Sequence, residues 1–425
     1  MAQAVTFTEV TALEILDSRG NPTLRVTLTT ADGGRHVAGV PSGASTGTRE
    51  AVELRDGDEA RFGGKGVTGA VSNVTGEIAE LLRSRSWSSL ADVDAAMIEL
   101  DGTPTKARLG ANALVGTSMA AARVFAAGEP LWTSLRPDDV EPRLPVPHFN
   151  VLNGGVHAPN DLDFQEFMIA PVGAPSFPEA VRAGAAVYAR LRALLRERGE
   201  ATGLGDEGGF APDIARPEDV LTLIVQAITD AGYPTGREGV AIALDPAASE
   251  FYRDGSYVVA GETLTSDDMI DRYEQIAADF PVWSLEDGLA EGDWDGWQRL
   301  TARLGERLQL VGDDIFVTNP AIITEAVGRK VGNSALIKLN QIGTVTETLE
   351  AQRISREAGY TQMISHRSGE TPDTFIADLT VGTGTGQLKS GAPARGERVA
   401  KYNRLLEIAA GTDLPYGLTG SARLR

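Results

Sequence analysis

From Val240 onward the sequence keeps returning to one pattern, a short apolar run that ends in a polar residue. VAIALD closes at Asp245, VWSLE at Glu286, LQLVGD at Asp313, ALIK at Lys338, QMISH at His366 and QLK at Lys389, at intervals of 41, 27, 25, 28 and 23 residues. Each interval holds a helix and its loops, and between Thr265 and Phe280 the apolar stripe Ile270, Tyr273, Ala277, Phe280 has helical spacing. Continuously apolar strands separated by amphipathic helices predict a parallel sheet covered by helices. The α/β repeat therefore suits a (β/α)8-type barrel, with a doubly wound open sheet as the lesser option. In a barrel, the polar residues that end the strands converge on one mouth.

The first third reads differently. Three alternating runs, Val5 to Leu16, Thr23 to Thr29 and Arg35 to Val40, with the turn Asp32-Gly33-Gly34, predict a three-stranded antiparallel meander. Helix-like segments follow near Ala70 to Arg83, Leu90 to Leu100 and Gly110 to Ala127. The expected division is a smaller α+β domain over 1–135, a linker over 136–147 marked by prolines 137, 142, 145 and 147, and a catalytic barrel over 148–425.

Composition limits the chemistry. With no cysteine, any metal must be held by oxygen or imidazole. A formal charge of -20 argues against nucleic-acid binding. The start, MAQAVTFTEV, has no basic-then-apolar leader, and no apolar run reaches the ~18 residues of a membrane span, so a cytoplasmic protein is expected. GxGxxG after a strand and GxxxxGK[ST] are absent, which speaks against nucleotide binding, and a GxSxG serine-hydrolase elbow is absent too, the match at Gly43 to Gly47 reading as a mobile loop.

Asp245, Glu286 and Asp313 end successive strands, and three carboxylates in one mouth need a cation to stay ionised. All-oxygen ligands select a hard ion, Mg2+ before Mn2+ or Ca2+. Lys338 ends the next strand, where neighbouring metal would disfavour its ammonium form and fit it to act as a base. His366-Arg367-Ser368 and Lys389 form a cationic arc suited to a small anion with carboxylate and phosphate groups. Ser42 to Gly47 reads as a mobile loop offering hydroxyls and N–H groups. Gly205 to Gly209 carries two acids on an elbow, where one can keep its proton and serve as a general acid. His157, on the Gly-rich loop 153–158, can reach the mouth, and Gln165-Glu166 follow it, whereas His36 in the meander and His148 beside the linker read as structural or surface histidines.

Taken in order, ILDSRGNPT, VPSGASTG, ELDGTP, LGANAL, NGGVHA, QEFMIAP, GDEGGFAP, ALDPAASEFY, SLEDGLAE, VGDDIFVTNP, IKLNQIGT, SHRSGET and GQLKSGAPARGERVAKYN closely resemble the enolase family across most of residues 5–408. The resemblance implies reversible dehydration of 2-phosphoglycerate to phosphoenolpyruvate in glycolysis and gluconeogenesis. It implies Mg2+ on Asp245, Glu286 and Asp313, and a second Mg2+ that arrives with substrate and involves Ser45. Lys338 would be the base and Glu207 the acid, while Gln165, His157, Glu166, His366, Arg367, Ser368 and Lys389 would surround the substrate. A homodimer or higher homo-oligomer is implied too. This sequence departs from the family pattern at Leu13 and Ala409-Ala410, where an interface ion pair is usual, and at His148-Phe149, Val156, Pro159 and Pro372. The altered loop and interface residues motivate one alternative, a specialised relative acting on a phosphonate analogue in secondary metabolism; the other alternative, a non-catalytic scaffold or surface-binding protein, is opposed by the intact set of metal ligands, base and acid.

Overall fold

A computed structural model describes residues 4–44, 46–126 and 128–418. The first domain opens with the antiparallel meander β1 (Phe7–Leu16), β2 (Pro22–Thr30) and β3 (Arg35–Gly39). One face of β2, Leu24, Val26 and Leu28, is buried. Three helical stretches follow: α1 (68–83, with a π turn at Val74–Ile78), α2 (Leu90–Asp101) and α3 (Ala111–Phe125). Helix α3 is buried almost all round, because it lies between β2 and β3 and the second domain.

The barrel strands are β4 (Val146–Asn153), β5 (Glu166–Ala170), β6 (Ala241–Asp245), β7 (Val282–Glu286), β8 (Gln309–Gly312), β9 (Ser334–Ile337), β10 (Thr361–Ser365) and β11 (Gln387–Lys389). They close in the order β7-β8-β9-β10-β11-β4-β5-β6. Its helices are α4 (Phe177–Glu197), α5 (Pro217–Asp230), α6 (Ser266–Asp279), α7 (Trp294–Leu304), α8 (Pro320–Arg329), α9 (Val345–Glu357), α10 (Phe375–Gly382) and α11 (Gly396–Gly411). The predicted stripe on α6 packs inward, with Ile270 and Tyr273 fully buried, and Thr265 starts that helix with a capping box to Asp268.

Two features differ from the sequence expectation. The sheet is not uniformly parallel: β5 runs antiparallel to both β4 and β6. The 154–165 connection holds only the short turn Gly155–His157, too little helix to return the chain along the outside, so β5 doubles back beside β4. Its register then sets Glu166, the first residue of β5, opposite Asp245, the last of β6. Second, β4 begins at Val146, within the expected linker, and His148 on it is fully buried with its ring 5.6 Å from that of Trp283.

The domains are fastened through backbone and charge. Ser42 and Gly369 exchange two N–H···O=C bonds, at 2.7 and 2.8 Å. Asp373 accepts from Arg123 at 2.6 and 3.0 Å, from Gly39 N at 2.9 Å and from Phe375 N at 2.8 Å. Burial opposes the Asp373 carboxylate, but these donors outweigh it and hold its pKa below the ordinary aspartate value. A depressed pKa adds stability that is present above the unfolded value and lost as pH falls through the folded one. The gap in thermal midpoint between wild type and Asp373→Asn should therefore hold steady from neutral pH to about 5 and close as pH drops below about 4. A gap that widens on acidification would contradict this.

Candidate active site

Strand ends and loops bring His157, Gln165, Glu166, Glu207, Asp245, Asp313, Lys338, His366, Arg367, Ser368 and Lys389 around one cavity at the barrel mouth. Its organising contact is Lys389 at the end of β11, whose Nζ lies 2.8 Å from Asp245 Oδ2, 2.8 Å from Glu286 Oε1 and 3.1 Å from Glu166 Oε1. Burial works against the ammonium, but these carboxylates outweigh it and push its pKa well above the ordinary lysine value. One cation is not enough for three acids, and burial beside Asp245 raises the Glu286 carboxyl well above its usual range.

Lys338 ends β9 with Nζ 2.5 Å from Asp313 Oδ2. Burial favours the neutral amine, yet Asp313 prevails and raises the lysine pKa. The sequence expectation of a disfavoured ammonium concerns a metal on these carboxylates, whereas here Asp313 pairs with the lysine itself. Asp313 is held correspondingly low by Lys338 against the effect of burial, and its Oδ1 accepts from Gln341 at 2.8 Å.

Glu207 reaches the mouth on the 205–209 elbow. Its Oε2 accepts from Asn150 Nδ2 at 3.0 Å and lies 3.2 Å from His366 Nε2, while His157 Nδ1 stands 3.8 Å from both Glu207 Oε1 and Glu166 Oε1. Burial and the neighbouring Glu207 lift Glu166 well above the usual carboxylate range. Burial would lift Glu207 as well, but His366 and His157 hold it low. Burial and charge thus push the two carboxyls of this pair in opposite directions, Glu166 upward and Glu207 downward.

Arg367 meets the first domain, its Nη1 2.9 Å from Glu50 Oε2 and its Nη2 3.2 Å from Glu50 Oε1, with Nη1 also donating to Asn340 Oδ1 at 2.9 Å. A Cβ at Gly43 would lie 2.0 Å from the guanidinium, so any larger residue at this loop position displaces Arg367 from its present contacts. A cavity of about 390 Å³ opens between Arg367, Asn340, Glu50 and the loop around Gly43 and Thr46. Ser45 lies outside the described residues.

The carboxylate oxygens suit a hard divalent ion, and Glu286 Oε2 is buried with no hydrogen-bond partner, as an oxygen reserved for a cation would be. Potential ligand atoms cluster within 4.8 Å in Asp287–Asp313–Asp314 and in His157–Glu166–Glu207, rather than in Asp245–Glu286–Asp313. The ammonium of Lys389 stands between Asp245 and Glu286. Asp287 is a poor ligand, since its two oxygens accept the N–H groups of Asp313 and Asp314 at 2.9 and 2.8 Å. It fixes the loop that carries Asp313.

Comparison with known proteins matches residues 7–134 to the enolase N-terminal domain and 141–415 to the enolase C-terminal TIM barrel domain. An enolase of Rubrobacter xylanophilus is 56% identical over 408 residues, 94% of each chain. An enolase of Acidothermus cellulolyticus is 57% identical over 399 residues, covering 93% of this chain and 92% of that protein. The chain belongs to the enolase family. It is a phosphopyruvate hydratase, a lyase of glycolysis that acts on a small molecule and works with a divalent metal. Enolase relatives this similar favour neither the phosphonate-specific nor the scaffold alternative. Among the described residues, no helix is long and apolar enough to cross a membrane.

Strand-end reasoning misses Glu50, Asn150, Asp287 and Arg398. Asp287 has a signal in the doublet Glu286-Asp287, whereas Glu50 and Arg398 act from the first domain and the last helix, with no spacing to betray them. Removing the central ammonium tests the electrostatics of the site. Metal-free Lys389→Met should lose about 3 kcal/mol of stability and gain more thermal stability from Mg2+ than wild type does. Equal Mg2+ shifts in the two proteins would refute it.

Proposed function

We propose that Lys338 removes the C2 proton of 2-phosphoglycerate and that Glu207 delivers a proton to the departing 3-hydroxyl, giving phosphoenolpyruvate and water. The supporting observation is that an acidic arc and a cationic arc line the same cavity, with Lys338 and the Glu166–Glu207 pair both facing it. Asp245, Glu286 and Asp313 would hold one Mg2+, and Ser45 would help hold a second that arrives with substrate. Bound Mg2+ would supply positive charge to the substrate carboxylate as a second negative charge builds on it.

The protein's own groups divide the remaining work. Engaging Asp313 elsewhere withdraws the carboxylate that keeps Lys338 charged, leaving a buried lysine suited to accept a proton. Glu166 stores the proton that Glu207 passes to the leaving group. Arg367 and Ser368 hold the phosphate, Lys389 the carboxylate, and His157, Gln165 and His366 line the remaining walls. A homodimer fits the apolar residues left open on β1, Leu13 at 53% and Leu16 at 59% exposure.

Isotope exchange separates the two proton transfers. Lys338→Ala should abolish exchange of the C2 proton with solvent, whereas Glu207→Gln should keep exchange and lose dehydration. Exchange persisting in Lys338→Ala would remove that residue from the base role. Chelation should abolish turnover in the wild type, with Mg2+ restoring it.

Glu50 gives a second test, because substrate phosphate must share Arg367 with it. Glu50→Gln should bind inorganic phosphate roughly fivefold more tightly, as measured by competitive inhibition. Unchanged or weaker inhibition would show that Glu50 does not compete.

A further inference from the structure

Arg398, in the first turn of α11, is fully buried behind the site. Its Nη1 donates to Arg367 O at 2.5 Å and lies 2.7 Å from His366 Nδ1. Its Nη2 donates to Ser368 O at 2.5 Å, to Asp206 O at 3.1 Å and to Ser18 Oγ at 3.3 Å, and Glu397 Oε1 stands 3.4 Å from Nε. One guanidinium therefore joins the loop after β10, the acidic elbow and the turn after β1.

The contact with His366 has only one reading. A guanidinium has donors and no acceptor, and it keeps its charge in proteins. Nδ1 must then be the bare, accepting nitrogen. Burial holds the His366 pKa at about 4, so the ring is neutral at pH 7 and carries its single proton on Nε2. That nitrogen is the one 3.2 Å from Glu207 Oε2.

We propose that Arg398 is a positioning residue for dehydration, locking His366 in the Nε2–H tautomer so that the ring presents a donor to Glu207. Asn150 donates to Oε2 and His366 Nε2 stands 3.2 Å from the same oxygen, which leaves Oε1 to take and give the proton. In the opposite tautomer the imidazole lone pair would face the carboxylate and turn it away. The inference rests on the proposed role of Glu207.

The chain has four histidines, so 15N-histidine labelling gives a small set of ring signals, and His366→Asn assigns one of them. In wild type the His366 Nδ1 should resonate as an unprotonated nitrogen and Nε2 as a protonated one. Arg398→Met should mix or invert that pattern and lower kcat on the order of 10- to 100-fold with KM within about twofold, while C2-proton exchange survives. Arg398→Lys, which retains a donor, should restore the tautomer and part of kcat. A wild-type His366 protonated on Nδ1, or an Arg398→Met kcat within about twofold of wild type, overturns the proposal. If Arg398→Met does not fold, the wild-type spectrum and Arg398→Lys still decide. Loss of exchange in Glu207→Gln would instead overturn the Glu207 assignment and leave the His366 spectrum intact.

Discussion

Four carboxylates, Glu166, Asp245, Glu286 and Asp313, are buried at one barrel mouth, and like charges so close cannot coexist unaided in a low-dielectric interior. Lys389 and Lys338 supply two positive charges among them, and burial pushes the carboxyls of Glu166 and Glu286 well above their usual range. Four carboxylates around two ammonium groups offer more oxygen ligands than those groups can engage, which makes the site receptive to divalent ions. Much of the surrounding structure serves to hold these acids in place. Asp287 ties down the backbone before Asp314, Gln341 tethers Asp313, and Ala247 N donates to Asp245.

The first domain enters this electrostatic arrangement through the loop that follows β3. Backbone pairing of Ser42 with Gly369 fixes where this loop joins the barrel, and Gly43 lets it lie directly on Arg367. Glu50 neutralises Arg367 and also accepts from Gly47 N at 3.1 Å. A charge contact thus ties the loop conformation to the Arg367 guanidinium, and on the phosphate role proposed for Arg367 substrate binding would act on loop position without any long-range wire.

Much of this was legible in the sequence, for a physical reason. A strand buried on both faces must be apolar until it ends, so the first polar residue after each run marks the mouth. That rule picks out Asp245, Glu286, Asp313, Lys338, His366 and Lys389, all of which the structure brings to one place. Resemblance to the enolase family, rather than spacing, separated Glu207 from Asp206 and pointed to Ser45. Protonation was not legible, since the states of Lys338, Glu166 and Glu207 depend on distances that no pattern encodes. Arg398 and Asp287 act through backbone carbonyls and N–H groups, and such contacts leave little compositional trace.

The reversal of β5 has a consequence of parity. Each barrel strand and each outer helix carries the chain once between the floor and the mouth of the barrel, so after a strand that descends the next ascending strand can begin only after an even number of helical passages. The chain meets this with two helices, α4 rising and α5 falling, between β5 and β6. Their connection is an additional visit to the mouth, and it is the visit that delivers the 205–209 elbow. Glu207 therefore sits opposite residues that end strands without ending one itself, and its place in the site follows from counting directions along the chain.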